Sequence, residues 1–101
     1  FISARLYYDL GYYKSAILAL RNSLMEYPGT KYREELLFLI LKSTYLLADG
    51  SVPSKQRERY QATVDEYYSF IGEFPDGPHS REAKRMYESS NRFLANNNKQ
   101  S

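Results

Sequence analysis

Cysteine is absent from these 101 residues, which removes disulfides, thiolate catalysis and cysteine-held metals from consideration. Tryptophan is absent too, and histidine occurs once. That histidine, His79, has no serine and acid around it in a triad pattern. Neither a glycine-rich phosphate loop nor a spaced set of metal ligands accompanies it. His79 therefore reads as structural rather than catalytic. No cofactor and no metal is expected, and the composition speaks against an enzyme.

Glycine (5) and proline (4) are scarce and sit between apolar stretches, which favours long helices joined by short turns. The longest apolar run, Leu36 to Leu41, has six residues, whereas a membrane-spanning helix needs about 20. No signal peptide or lipidation motif is present. One-sided charge is lacking as well. Fourteen basic and 12 acidic residues leave a net charge of +2, scattered along the chain, which gives no case for a polyanion partner. What remains is ordinary for one folded domain: 43% hydrophobic and 26% charged residues. The opening Phe1-Ile2-Ser3-Ala4-Arg5-Leu6 already reads as helix and carries no initiator methionine. The sequence is expected to be part of a longer protein, with any targeting signal upstream and with Phe1, Ile2 and Leu6 forming an exposed apolar edge.

The stretch Thr30 to Ala48 is the organising element. Thr30 is expected to cap it, Glu34 and Glu35 suit its first turn, and its middle is apolar all round, so it needs neighbours on several sides. A short helix from Phe1 to Asp9 should end at Gly11, where glycine allows a left-handed cap. The second helix, Tyr12 to Tyr27, carries the stripe Tyr13, Ala16, Ile17, Leu20, Leu24 and Tyr27. The fourth, Lys55 to Phe74, is expected to start from a Ser54 cap and to bury Tyr60, Thr63, Val64, Tyr67, Ile71 and Phe74. Pro78 suits the first position of a fifth helix burying Ala83, Met86, Tyr87, Ser90 and Leu94. The domain is read as residues 1–95, and the asparagine-rich residues 96–101 as a frayed polar tail.

Sliding the chain against itself by 47 positions pairs Tyr13 with Tyr60, Ile17 with Val64, Glu26 with Glu73, Tyr27 with Phe74 and Pro28 with Pro75. The same register pairs Tyr32 with His79, Glu35 with Glu82 and Ser43 with Ser90. One offset holding across two helices and the turn between them indicates duplicated helical hairpins.

The second helix, with Ala16, Leu20, Ser23, Leu24 and Pro28 at its key places, resembles the second half of a tetratricopeptide repeat. Thr63, Tyr67, Phe70, Ile71 and Pro75 occupy the same places in the next unit, with Phe70 where that family usually has a small residue. The unit here is longer than the family's about 34 residues. The excess falls around Asp49 to Arg59, as longer helices or as an inserted loop. The segments Glu26-Tyr27-Pro28-Gly29-Thr30-Lys31-Tyr32-Arg33-Glu34-Glu35 and Tyr67 to Pro75 resemble repeats of the BamD family, tetratricopeptide lipoproteins of the outer-membrane β-barrel assembly machinery.

That resemblance implies an all-α tetratricopeptide-like array of about five antiparallel helices in a right-handed superhelix. It also implies a protein-binding scaffold on the periplasmic face of the outer membrane, anchored by a lipidated cysteine upstream of this sequence. Partners would be the POTRA domain of BamA and the accessory Bam lipoproteins. A periplasmic adaptor of the Tol–Pal coordinator type and a helical appendage of an envelope enzyme are the alternatives. In such arrays the first helix of each hairpin lines the groove, so Arg5, Tyr8, Asp9, Tyr32, Glu35 and Lys42 are candidate contacts. Lys55, Arg57 and Arg59 form the densest basic patch, either a solvated helix start or a contact for an acidic partner or lipid headgroups. Of the 11 tyrosines, Tyr13, Tyr27, Tyr60, Tyr67 and Tyr87 are expected in the core. Tyr7, Tyr8, Tyr12, Tyr32 and Tyr68 are the interface candidates.

Overall fold

The computed structural model describes residues 2–100, and the side chains of residues 3–96. Those residues form five helices: α1 (Ile2–Asp9), α2 (Tyr13–Glu26), α3 (Arg33–Asp49), α4 (Pro53–Glu73) and α5 (Ser80–Gln100). No strand occurs among the described residues, and the chain is an all-α array of helical hairpins. Each helix packs on the next in sequence, and α3 also packs on α5.

Gly11, at φ 82°, ends α1. Its N–H donates to Tyr8 O at 3.0 Å, and the Tyr12 N–H donates to Tyr7 O at 2.8 Å, which is the paired closure that a left-handed glycine permits. The 47-residue register of the sequence is a register of geometry as well. The residues closing α2 and α4, Tyr27 and Phe74, have φ/ψ of −131°/67° and −132°/68°. Tyr27 N–H bonds Ser23 O, Arg33 N–H bonds Thr30 O and Leu36 N–H bonds Tyr32 O. Phe74 to Phe70, Ser80 to Gly77 and Ala83 to His79 repeat those three bonds at equivalent positions.

Several expected boundaries shift. Thr30 does not cap α3: its Oγ1 accepts the Tyr32 N–H at 3.2 Å inside the turn, and the helix begins at Arg33. Pro78 likewise lies in the turn, two residues before α5. Ser54 is already inside α4, because Pro53 takes the first helical position behind an extended Val52. The extra length of the repeat is therefore helix and not loop: α3 has 17 residues and α4 has 21, against 14 in α2. Side chains of α4 close the short turn before it. Gln56 donates to Ala48 O at 3.1 Å, and the Tyr60 hydroxyl donates to Asp49 Oδ1 at 3.2 Å. Burial, with Asp49 adding to it, pushes the Tyr60 hydroxyl up to about 12. Helix α5 continues through Gln100 and so includes the asparagine-rich stretch.

Two apolar clusters fill the array. Ala4, Leu20, Leu36, Leu39 and Ile40 make the first, among α1, α2 and α3. Phe38, Leu41, Tyr67, Phe70, Ala83 and Met86 make the second, among α3, α4 and α5. Leu37 packs against both, so α3 is the common wall. Small residues sit where the helices come closest: Ala16, Ala48, Thr63, Ala83 and Ser90 are all 0% exposed. Tyr60 and Tyr67 belong to the core as expected, but Tyr27 does not, being 64% exposed at the end of α2.

The buried hydroxyls differ in one respect that can be measured. Thr44, Thr63 and Ser90 each donate to the carbonyl four residues earlier, whereas the Ser43 hydroxyl has no partner among the described residues. A buried unpartnered hydroxyl is costly, so Ser43→Ala is expected to raise stability by about 1 kcal/mol. The equivalent change Ser90→Ala removes a made bond and should not. Urea midpoints of the two variants check this; a midpoint that falls for Ser43→Ala would show that the hydroxyl is satisfied in solution.

An ion pair ties the start of α3 to the end of α4. Arg33, at the start of α3, donates through Nε to Glu73 Oε1 at 2.8 Å and through Nη2 to Glu73 Oε2 at 3.1 Å. Its Nη1 also reaches Pro28 O at 3.2 Å. The Arg33 hydrogen bond holds the Glu73 carboxyl below its ordinary 4.5. A depressed carboxylate pKa stabilises the fold above the unfolded value and loses that contribution as pH falls through the folded one. The stability difference between the wild type and Glu73→Gln is thus expected to be constant above the ordinary value, to shrink as pH falls below it, and to vanish only below the lowered folded value. Urea unfolding across that range measures it, and a difference independent of pH would sink the assignment.

Candidate functional site

Alternate helices share a layer. Arg21 of α2 is paired with Glu66 of α4, joining two helices of one layer directly. On the other layer, α1, α3 and α5 line a groove of about 330 Å³. Its walls carry Arg5 and Tyr8 from α1, Glu35, Phe38, Leu39 and Lys42 from α3, His79 from the turn before α5, and Glu82 from the first turn of α5.

The charges in this groove are largely paired. Lys42 Nζ lies 2.9 Å from Glu82 Oε2, bridging α3 and α5. That hydrogen bond holds the Lys42 ammonium above its ordinary range, against the opposing effect of desolvation. Arg5 Nε lies 3.3 Å from Asp9 Oδ1, and its guanidinium stands 5.9 Å from the Tyr8 ring centre. The His79 ring stacks on Phe38, 4.2 Å between centres and 12° from parallel, giving the groove an aromatic floor. Glu35 is exposed, with no ion pair among the described residues. The site offers an apolar and aromatic base, an unpaired carboxylate, and two salt bridges that a competing charge can open.

The nine residues singled out from sequence fall in three places. Arg5, Tyr8, Glu35 and Lys42 meet in the groove, and Asp9 stands beside it holding Arg5. Tyr32 does not reach them: it lines a separate hollow of about 180 Å³ with Ser23, Tyr27, Thr30 and Leu36. Lys55 and Arg57 are exposed on the first turns of α4, far along the chain from either site. Arg59 leaves that patch, because its Nη1 turns back to donate to Ser51 Oγ at 2.6 Å and closes the α3–α4 turn. His79 and Glu82 were missed as site residues, although the 47-residue register places them opposite Tyr32 and Glu35.

Outside the groove lining, Glu34 stands against Gly77. Glu34 Oε2 is buried without a hydrogen-bond partner among the described residues, and a Cβ on residue 77 would stand 1.8 Å from it. The atoms met there are the far end of the Glu34 side chain, at the point where the turn before α5 passes the start of α3. Among the described residues no group of histidine and carboxylate side chains has the convergence of a metal site. Compared with known proteins, the chain matches no family model and no curated protein.

Proposed function

We propose that the chain is a protein-binding scaffold, similar to the C-terminal repeats of the BamD family, and that its groove takes a segment of a partner protein. The observation that carries the reading is the groove itself. Three alternate helices of a hairpin array converge on it, with an aromatic base and charged rims, a surface suited to recognition without chemistry. The sequence resemblance adds the setting: the periplasmic face of the outer membrane, with BamA and the accessory Bam lipoproteins as partners.

A pulldown from detergent-solubilised envelope tests this, with the 101-residue chain as bait and mass spectrometry as the readout. BamA is expected among the retained proteins. Glu35→Lys combined with Lys42→Glu should reduce its recovery about tenfold, the size expected when charge complementarity is reversed at an interface. Retention of Tol–Pal components without BamA would move the chain to the coordinator type. BamA retained equally by the charge-reversed chain would keep the scaffold and remove the groove as its site.

A further inference from the structure

The last helix carries a feature that the groove does not use. Arg81, Arg85, Glu88 and Arg92 follow one another at spacings of four, three and four, so they stand in line along the outer face of α5, with Lys84 beside them. All five are exposed. The opposite face of the same helix, with Ala83, Met86 and Ser90, is buried against α3 and α4. Elsewhere, cations that face another helix are paired: Arg21 with Glu66, Arg33 with Glu73, and Lys42 with Glu82. Among the described residues, the four cations on the outside of α5 have no ion pair, even with Glu88 on their own face. The row from Arg81 to Arg92 spans about 16 Å of helix. Hollows flank it on both sides, one lined by Tyr45, Met86 and Ser89 and the other by Tyr67, Ile71 and Pro75.

We propose that the outer face of α5 is a second docking surface, for an acidic helical segment of a partner protein. Charge complementarity selects the partner: four unpaired cations against one carboxylate call for carboxylates spaced along a helix. Arginine offers the planar fork that matches them. Glu88 marks the position where the partner carries a neutral or basic side chain. A lipid surface fits less well, because this face has no large apolar side chain to enter the headgroup region. The surface adjoins the groove through Glu82, which lines both the groove and one flanking hollow, but the proposal stands whether or not the groove binds BamA.

The test uses the whole chain and a fluorescein-labelled synthetic helix with glutamates at the spacings that match Arg81, Arg85 and Arg92. Saturable binding is expected by anisotropy, weakening as salt is raised. Arg81→Gln, Arg85→Gln and Arg92→Gln together should weaken it about tenfold, since three exposed pairs are lost. Glu88→Gln should tighten it, and Lys55→Gln with Arg57→Gln should leave it unchanged. Circular dichroism confirms that the variants remain helical. Absence of binding, or binding unaffected by the triple substitution, overturns the proposal. So does capture of the chain by phosphatidylglycerol vesicles at a salt concentration where the peptide does not bind.

Discussion

Phe70→Ala is expected to cost about 3–5 kcal/mol, the range for deleting a fully buried aromatic ring. Phe70 is 1% exposed, and its ring centre lies 5.9 Å from those of both Phe38 and Phe74. Removing it opens a cavity between α3, α4 and α5 that the flanking rings cannot close without leaving their own contacts. Against a total stability of about 5–15 kcal/mol for a small domain, such a loss leaves the second hairpin marginal. Urea unfolding followed by circular dichroism reads it. Tyr68→Ala, at a neighbouring position 56% exposed, is the comparison and should cost far less. A Phe70→Ala loss below about 1 kcal/mol would mean that the cluster repacks, contrary to the dense interior described.

Leu20→Ala should cost nearly as much, about 2–5 kcal/mol, but in a different part of the molecule. Leu20 is 0% exposed in the cluster of α1, α2 and α3, and Leu37 packs against both that cluster and the other. In an array whose repeats touch only their neighbours, damage stays local. Amide exchange is therefore expected to accelerate in α1 and α2 for Leu20→Ala, and in α4 and α5 for Phe70→Ala. The double variant should be additive within about 0.5 kcal/mol. Uniform loss of protection throughout the chain in either single variant would contradict this division.

Much of this organisation could be read in the sequence, and the failures have physical causes. Hydrophobic periodicity located α2, α4 and α5, because a buried stripe is a local pattern that side-chain spacing writes directly. The all-round apolar α3 announced its own central place. Boundaries were harder. Thr30, Ser54 and Pro78 all have the chemistry of helix starts, yet Thr30 and Pro78 serve the adjoining turns, and Ser54 falls inside α4 because Pro53 starts it. Which role wins depends on how the next hairpin packs. Tyr27 fits the stripe of α2 by spacing, but the helix ends at Glu26, and the residue after the last turn no longer follows the helical period.

The groove was half legible for a related reason. Arg5, Tyr8, Glu35 and Lys42 came from counting helix faces, while His79 and Glu82 come from the turn before α5 and its first turn, 47 residues further on than Tyr32 and Glu35. The internal repeat contained the signal for Glu82, whose equivalent Glu35 faces the groove, but not for His79, whose equivalent Tyr32 lines a separate hollow. His79, read alone as a structural histidine, is structural in its stack on Phe38 and also part of the groove. Arg59 shows the opposite error. Grouping it with Lys55 and Arg57 by proximity ignored that a long side chain in the second turn of a helix can reach back over the preceding loop.

The position of Leu37 between the two clusters has a mechanical consequence. Among the described residues α3 is the element common to both clusters, so tension applied to the ends of the chain meets two apolar seams in series, with the Arg21–Glu66 pair an added tie between α2 and α4. The α1–α2 hairpin can peel from one side of α3 while Phe38 and Phe70 stay in contact on the other. The array would lengthen in two steps, and α3 would be the last helix to lose its neighbours.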